Sequence, residues 1–246
     1  MTSGEFIRKY ITVHKCGGCG EILPWQISDG AFCSKCQTDW NADTVATCGV
    51  CFLPARECGC MPDVLKKSGA LTLRKLIFYK ADNPHCASMS IVYWIKHRKS
   101  KRMTDFVADG LRDAIAEELD TLGVGKKDGV FITYVPRGKQ SRYSHGFDQS
   151  RLVAKALSGI MGYEFLPAFY TVRTKKQQKE LDRRSRFRNA KAAIRMKKNA
   201  DVSGRYAVIF DDIVTTGASM SVCAKALMGS GARGVICVTL AAKPKK

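Results

Sequence analysis

The chain has 246 residues, of which 45% are hydrophobic, and its formal net charge is +19. This length suits one good-sized domain together with a small one. The longest apolar runs fall far short of a membrane span, so insertion into a bilayer is not among the expected functions. The first residues lack the apolar region of a signal peptide, and we expect a cytoplasmic protein.

The net positive charge comes entirely from residues 71–246. Residues 1–70 hold seven basic and seven acidic side chains, whereas residues 71–246 hold 34 basic and 15 acidic ones. An excess of this size suits polyanionic partners, either nucleic acid or heavily phosphorylated small molecules. Alternatively, any single Lys or Arg could simply belong to a solvated basic surface without contacting such a partner.

Eight of the eleven cysteines lie in pairs between residues 16 and 60. In a cytoplasmic chain such pairs favour metal binding over disulfides, and two pairs can hold one zinc ion in a closed tetrahedral site. We therefore predict a zinc-binding module over residues 1–62 with one or two structural Zn²⁺ ions, the second quartet being less regular because it ends in Cys-x-Cys. The predicted ligands are Cys16, Cys19, Cys33 and Cys36, followed by Cys48, Cys51, Cys58 and Cys60.

Residues 63–103 are expected to form a helical connector. Two short helices are predicted around Asn83-Pro84, the second from Ala87 to Lys101 with a basic end over residues 96–102. That end suits either a contact with nucleic acid or a packed helix with a solvated end, and the second alternative is favoured. Residues 104–246 then open with a predicted helix, which has Thr104 as its N-cap and runs to about Leu122.

The segment 104–246 is predicted to be an α/β domain. A buried strand over residues 130–135 precedes a basic loop, and a helix begins near Gly146 and runs to about Met161. Short strands are predicted within residues 162–170 and at 206–210 and 235–240. The repeated order of strand, loop and helix predicts a parallel sheet with flanking helices.

The most informative stretch runs from Tyr206 to Ser219. Five apolar residues predict a strand that Asp211 and Asp212 close, and a helix is predicted from Met220 to Leu227. A turn at a helix N-terminus is an anion cradle, because backbone N–H groups and the helix dipole both face it. The acids would repel a bare phosphate but could hold sugar hydroxyls or a metal. A sugar phosphate suits both the acids and the turn, so the stretch predicts a sugar-phosphate site. The residues of the turn are Thr215, Thr216, Gly217, Ala218 and Ser219.

The stretch from Asp211 to Gly217 resembles the phosphoribosyl-pyrophosphate (PRPP) motif of type I phosphoribosyltransferases. The resemblance implies that Asp211 and Asp212 bind the ribose hydroxyls as the catalytic pair, while the turn holds the 5′-phosphate. It implies that Mg²⁺ accompanies PRPP, and that residues 173–198, with 12 basic and 2 acidic side chains, form a hood over the site. The pyrophosphate would then be bound by the basic loop residues Arg137, Lys139 and Arg142.

Three features together resemble the ComF family, which is associated with DNA uptake and natural competence. They are the cysteine-rich N-terminus, the pattern Pro136…Arg142…Gly146-Phe147-x-Gln149-Ser150, and the pattern Gln178-x2-Leu181-x4-Arg186-x2-Asn189. Two departures, His145 in place of the usual Arg and Asp148 in place of the usual Asn, bear on turnover more than on fold.

The ComF resemblance implies a phosphoribosyltransferase that moves a phosphoribosyl group from PRPP to a nitrogenous acceptor and releases pyrophosphate. Besides PRPP, the expected partners are single-stranded DNA or another nucleic acid and proteins of the competence machinery. The alternative is a non-catalytic, zinc-containing accessory protein that binds single-stranded nucleic acid and retains the PRPP-binding fold. The excess of positive charge supports that alternative.

Overall fold

The computed structural model describes residues 14–24, 30–80, 82–83, 86–138, 146–172 and 183–244, with Lys126, Arg183 and Arg184 described by their backbone alone. The helices are α1 (Ser34–Thr44), α2 (Asp63–Lys66), α3 (Ala87–His97), α4 (Lys101–Thr121), α5 (Gln149–Met161), α6 (Arg183–Ala193) and α7 (Ala218–Gly229). The strands are β1 (Ala70–Phe78), β2 (Phe131–Tyr134), β3 (Glu164–Phe165), β4 (Phe169–Thr171), β5 (Ile194–Met196), β6 (Tyr206–Val214) and β7 (Gly234–Ala242).

A five-stranded parallel sheet with the order β1-β7-β6-β2-β3 organises the molecule. All nine residues of β7 are buried, as expected for a central strand whose two faces are both covered by other elements. A separate antiparallel pair, β4 with β5, lies beside the sheet. The predicted α/β class, a parallel sheet with flanking helices beside a small N-terminal cysteine-rich module, is therefore confirmed.

The two faces of the sheet carry different cores, because successive side chains of a strand point to opposite faces. On β6, Val208 and Phe210 face a core built with α3, α4, α5 and the first cysteine quartet. Ala207 and Ile209 face a second core built with α2, α7 and the β4-β5 pair. The parallel strands bring their carboxyl ends to one edge of the sheet, and the candidate site lies there.

The structure contains the strands predicted at 130–135, 206–210 and 235–240, and the helix predicted to end near Met161. Other predictions were wrong. The first helix of the predicted connector is instead β1, which pairs in parallel with β7. Pairing with a strand so distant in sequence outweighed the local pattern. The domain boundaries at 62/63 and 103/104 stay predictions, although residues 63–103 do supply this strand of the sheet.

Two element boundaries also differ from the predictions. Ser100, and not Thr104, is the N-cap of α4, because its side chain accepts a hydrogen bond from the N–H of Met103. Strand β6 does not stop at the acidic pair, since pairing with β7 continues to Val214 opposite Ala242. Within the described residues, no helix combines the length and apolar character needed to cross a bilayer.

Candidate functional site

The turn that joins β6 to α7 has the backbone of an anion cradle. Gly217 is the N-cap of α7 and has a φ of +75°. Residues with a Cβ disfavour this left-handed conformation, whereas glycine adopts it readily. The first-turn N–H groups of a helix have no partner within the helix, and the positive end of its dipole lies at the same place. The predicted turn, Thr215 to Ser219, thus lies at a helix N-terminus, where the N–H of Ala218 also donates to Thr216 Oγ1 at 3.4 Å.

A cavity of about 530 Å³ lies directly in front of this turn. Asp211 lines it, and residues 213–220 form a continuous wall. Across the cavity lie Pro136 and Gly138, at the start of the basic loop, and residues of α6 in the basic segment 173–198. The structure therefore brings together three regions that are far apart in sequence. Lys139, Arg142 and residues 173–182 of the predicted hood lie outside the described residues.

The two adjacent acids have different surroundings. Asp212 is 8% exposed, and its Oδ2 accepts hydrogen bonds from Arg137 Nη2 at 2.6 Å and from Gln149 Nε2 at 3.1 Å. Asp211 borders the cavity, and its Oδ1 accepts a hydrogen bond from the N–H of Asp212 at 3.0 Å. Burial, followed by the negative charge of Asp212, raises the pKa of Asp211 well above its ordinary value. Of the predicted catalytic pair, Asp211 borders the cavity and Asp212 pairs with Arg137.

Arg137 is held by backbone and side chain at once. Its N–H donates to Asp148 Oδ2 at 3.1 Å, its carbonyl accepts from Thr171 Oγ1 at 3.0 Å, and its guanidinium forms the ion pair with Asp212. The first residue of the basic loop is thus fixed relative to β6. The sequence predicted that Arg137 would contact pyrophosphate, and in the structure its guanidinium contacts an acid of the motif.

Gln149 is a site residue that the prediction did not include. It lies at the start of α5, is 1% exposed, and joins Arg137 on Asp212. Its Oε1 and the neighbouring Ser150 Oγ are buried without a hydrogen-bond partner among the described residues, which is unusual for polar atoms inside a protein. The signal was its position in the Gly-Phe-x-Gln-Ser pattern, directly after the basic loop.

Asp148, one of the two departures from the ComF pattern, is the N-cap of α5. One of its carboxylate oxygens accepts from the N–H of Arg151 and the other from the N–H of Arg137. Both oxygens therefore face backbone donors, and the residue is only 9% exposed. The Asp148 carboxylate therefore fixes the start of the basic loop. The other departure, His145, lies outside the described residues.

The eight predicted zinc ligands form two groups of four, and within each group the Sγ atoms lie within 4.8 Å of one another. We call these the first cluster (Cys16, Cys19, Cys33, Cys36) and the second cluster (Cys48, Cys51, Cys58, Cys60). A tetrahedral site with Zn–S bonds of about 2.3 Å requires sulfur atoms about 3.8 Å apart. The Sγ atoms of Cys19 and Cys33 are 3.8 Å apart. Both clusters can therefore hold a zinc ion.

Each cluster contains one thiol that ionises readily. Burial acts to raise the pKa of Cys16, but backbone N–H groups of Cys33, Cys19 and Gly18 lower it to about 7. Burial likewise opposes ionisation of Cys48, and the N–H groups of Cys51 and Val50 bring its pKa down to about 6. Thiolates are the form that binds metal, so both clusters offer a first ligand near neutral pH.

The second cluster is attached to the sheet by a buried lysine. Lys75 lies within β1 and is 2% exposed, and its Nζ donates to the carbonyl oxygens of Cys58 at 2.5 Å and Cys60 at 3.0 Å. A closed site of four thiolates and one Zn²⁺ carries a charge of about −2. The lysine therefore places a compensating positive charge beside the second cluster.

A second cavity, of about 460 Å³, lies beside the first. The two cavities share residues of the turn and its flanks, namely Val214, Thr215, Thr216 and Ala218. Its other walls come from the second cluster, β1, the end of β7 and α6, including Cys60, Lys75, Phe78, Phe187 and Lys243. The second cluster thus borders the space next to the candidate anion site.

Comparisons with known proteins show related sequences. No family model matches the chain. It is similar to the DNA utilization protein YhgH of Escherichia coli O157:H7, with 27% identity over 228 residues, 89% of this chain and 95% of that protein. The YhgH of Escherichia coli K12 is 35% identical over 114 residues, 44% of this chain, and that match spans about half (49%) of the relative's length.

Solved phosphoribosyltransferases show a weak structural likeness. Hypoxanthine phosphoribosyltransferase from Staphylococcus aureus has a TM-score of 0.36 at 10% identity, over 62% of this chain and 72% of that one. Purine phosphoribosyltransferase from Pyrococcus horikoshii Ot3 has a TM-score of 0.34 at 22% identity, over 56% of this chain and 75% of that one. At these scores the likeness adds nothing to the strand order and the site geometry described above.

Proposed function

We propose that this protein is a PRPP-binding phosphoribosyltransferase of the ComF type that works in DNA uptake. The observation that carries the proposal is the first cavity, where a carboxylate, Asp211, and the open N-terminus of α7 face the same space. A carboxylate suits sugar hydroxyls and a helix N-terminus suits phosphate. The similarity to proteins named for DNA utilization supports the link to DNA.

In the proposed reaction, the bond between ribose C1 and the pyrophosphate oxygen breaks and a bond from an acceptor nitrogen to C1 forms. The bond electrons leave with pyrophosphate, and the acceptor nitrogen loses its proton. The turn Thr215 to Ser219 binds the 5′-phosphate and Asp211 binds the ribose hydroxyls. Bound Mg²⁺ would neutralise charge on the pyrophosphate and ribose oxygens, and would need few protein ligands.

Arg137, Asp212 and Gln149 have a supporting part in this proposal. Asp212 holds the guanidinium at the carboxyl end of β2, beside the loop that would bind pyrophosphate, and Gln149 in turn donates to Asp212. Pre-set donors lower the barrier because they need not reorganise as charge develops on the leaving group. Asp212 thus contributes by orienting Arg137, while Asp211 contacts the sugar.

The second cavity is the place that we propose for the acceptor. It adjoins the first along the turn, and its walls include the apolar side chains of Met61, Phe78, Phe187 and Val214. Such walls suit the flat face of a heteroaromatic base, and Lys243 and Thr215 supply polar groups at its edge.

Calorimetric titration with PRPP and Mg²⁺, followed by a screen of acceptor bases and amines for pyrophosphate release, tests this function. We expect PRPP binding in the wild type and a loss of about one to two decades of affinity in Asp211→Asn, which lacks the charged acceptor for the sugar. Asp201→Asn, which changes an exposed aspartate outside the site, is the matched control. Equal affinity in all three proteins contradicts the site, and no binding to the wild type contradicts the function.

One surface favours a second candidate function, the binding of single-stranded nucleic acid. On α3, Tyr93 is 57% exposed, and its ring lies 4.4 Å from that of His97 at a tilt of 33°. Directly after the helix, the guanidinium of Arg98 lies 4.5 Å from the centroid of the Trp94 ring. A cavity of about 430 Å³ joins this helix to the turn of the first cluster and to Lys15. An exposed ring, Tyr93, and a half-buried one, Trp94, lie beside cations and suit stacked bases and their phosphates.

Fluorescence anisotropy with a labelled oligothymidine tests the second candidate. Loss of one stacking partner costs about 1–3 kcal/mol, so Tyr93→Ala should weaken binding by about fivefold to a hundredfold, and binding should fall steeply with salt. Tyr170→Ala, which removes another exposed tyrosine, should leave the affinity unchanged. Binding that is insensitive to Tyr93→Ala contradicts this surface as the nucleic-acid site.

A further inference from the structure

We propose that the second cluster, with zinc bound, holds the turn Thr215 to Ser219 in its anion-binding conformation, and that Lys75 and Pro62 are the positioning residues that transmit this effect. The proposal rests on the proposed function only for the identity of the ligand. The connection itself is carried by contacts between the cluster, α2 and the turn.

The first step is the attachment of the cluster to β1. Lys75 donates to the carbonyls of two of the four ligands, Cys58 and Cys60. Within the described part of the chain, no carboxylate forms an ion pair with this lysine. A buried cation without compensation is costly, and the negative charge of a zinc–thiolate site would offset that cost. Metal and lysine therefore stabilise one another.

The second step runs from Cys60 to the turn through two residues. Met61 is buried in the core that also contains Ala218 and Met220 of α7. The carbonyl of Pro62 accepts hydrogen bonds from the N–H groups of Leu65 and Lys66, which fixes the proline at the start of α2. The chain therefore has little freedom between the last cysteine of the cluster and the residue that meets the turn.

The third step is the contact with Gly217. A Cβ added to this glycine would lie 3.3 Å from Pro62 Cγ and 3.6 Å from Val64 Cγ2. The proline ring thus packs directly over the residue whose left-handed backbone opens the helix N-terminus. If the second cluster loses its zinc and its fixed conformation, this packing is lost. The turn can then leave the conformation that presents its N–H groups.

Among the residues that the structure describes, the first cluster has no such connection to the turn, so it serves as an internal control. Its glycines pack elsewhere, since a Cβ on Gly17 would lie 2.7 Å from Met103 Sδ and one on Gly18 would lie 2.5 Å from Cys36 Sγ. Its buried cysteines belong to the core on the opposite face of the sheet from α2 and α7.

Hydrogen–deuterium exchange of peptides covering residues 214–221 tests the coupling without requiring activity. In Cys60→Ser, which should lose one zinc by elemental analysis, we expect exchange of these residues to rise about tenfold, because the turn opens more readily. In Cys19→Ser, which should lose the other zinc, exchange there should not change. Unchanged exchange at 214–221 in a Cys60→Ser protein that has lost its zinc overturns the proposal.

Pro62→Gly tests the same path with both clusters intact and covers the case in which Cys60→Ser fails to fold. It should keep the zinc content of the wild type, raise exchange at 214–221, and weaken PRPP binding, whereas protection of β7 should stay the same. Normal exchange at 214–221 in this variant overturns the role of Pro62.

Coupling between two sites is reciprocal, which gives a third measurement. Saturating PRPP should slow the release of zinc to a chelating dye from the second cluster, as followed in Cys19→Ser. It should leave release from the first cluster unchanged, as followed in Cys60→Ser. Equal effects on both clusters overturn the proposal. Absence of PRPP binding in the wild type would contradict the proposed function, while the exchange experiments would still decide the coupling.

Discussion

The two cysteine clusters have the same ligand chemistry but different surroundings. The first joins a large core, in which the rings of Phe32, Trp40 and Phe106 lie with centroids 5.1–5.5 Å apart and tie its module to α4. The second has a small core of its own, in which Cys48, Ala55, Cys58 and Phe78 are the buried members. A zinc site can therefore support an existing core or replace a missing one, and we expect the second cluster to depend more on its metal.

The largest expected effect comes from removing one ligand from each cluster. Cys16→Ser and Cys48→Ser should each lower the zinc content by one ion per chain and lower the stability of the protein by several kcal/mol. In Cys16→Ser the aromatic packing should keep α1 partly protected, whereas in Cys48→Ser residues 46–60 should lose their protection. Elemental analysis and hydrogen exchange measure both. Equal loss of protection around the two clusters would contradict the difference in their cores.

The next largest effect comes from removing the cation beside each cluster. Lys75→Met should weaken zinc binding at the second cluster by about 10–100-fold, because partners of metal ligands contribute at that level. The matched control is Arg102→Met, since the Arg102 guanidinium donates to the carbonyls of Lys15 and Gly30, which lie close to ligands of the first cluster in sequence. Competition with a chelating dye should show each variant weakening its own cluster only. Normal zinc affinity in Lys75→Met would contradict charge compensation by this lysine.

A smaller loss of stability is expected from substituting two glycines with positive φ, one in the first cluster and one in the anion turn. Gly20 in the first cluster has a φ of +80° and Gly217 has a φ of +75°, but a Cβ meets no atom within 4 Å at Gly20 and meets Pro62 at Gly217. Alanine at either position should cost about 1–2 kcal/mol through the left-handed backbone. Only Gly217→Ala should also lower the affinity for PRPP, by about tenfold or more, in calorimetric titration. Equal PRPP affinity in the two variants would contradict the position of the anion turn.

The sequence predicted the features that depend on neighbouring residues. The cysteine pairs, the strand β6 and the glycine turn are each contained within a short stretch, and the structure contains each of them. It did not predict β1, whose pairing of Thr72 with Ile236 joins distant parts of the chain. Nor did it predict the ion pair of Arg137 with Asp212 or the contact of Lys75 with the second cluster, because both arise only when the sheet has formed.

The smallest expected effect concerns the two acids, which also differ in their surroundings: Asp212 forms an ion pair with Arg137, and Asp211 borders a cavity. Burial and the charge of Asp212 raise the pKa of Asp211 in the folded state, so the folded protein loses stability as pH rises from the ordinary carboxyl value through the raised one. Asp211→Asn removes this cost and should stabilise the protein by about 0.5–2 kcal/mol at pH 8, with a smaller difference at pH 4. Asp212→Asn leaves Arg137 without its carboxylate partner and should destabilise the protein at pH 8. Thermal unfolding of the three proteins across this pH range measures both changes in stability. A destabilised Asp211→Asn at pH 8 would contradict the cost assigned to the buried charge of Asp211.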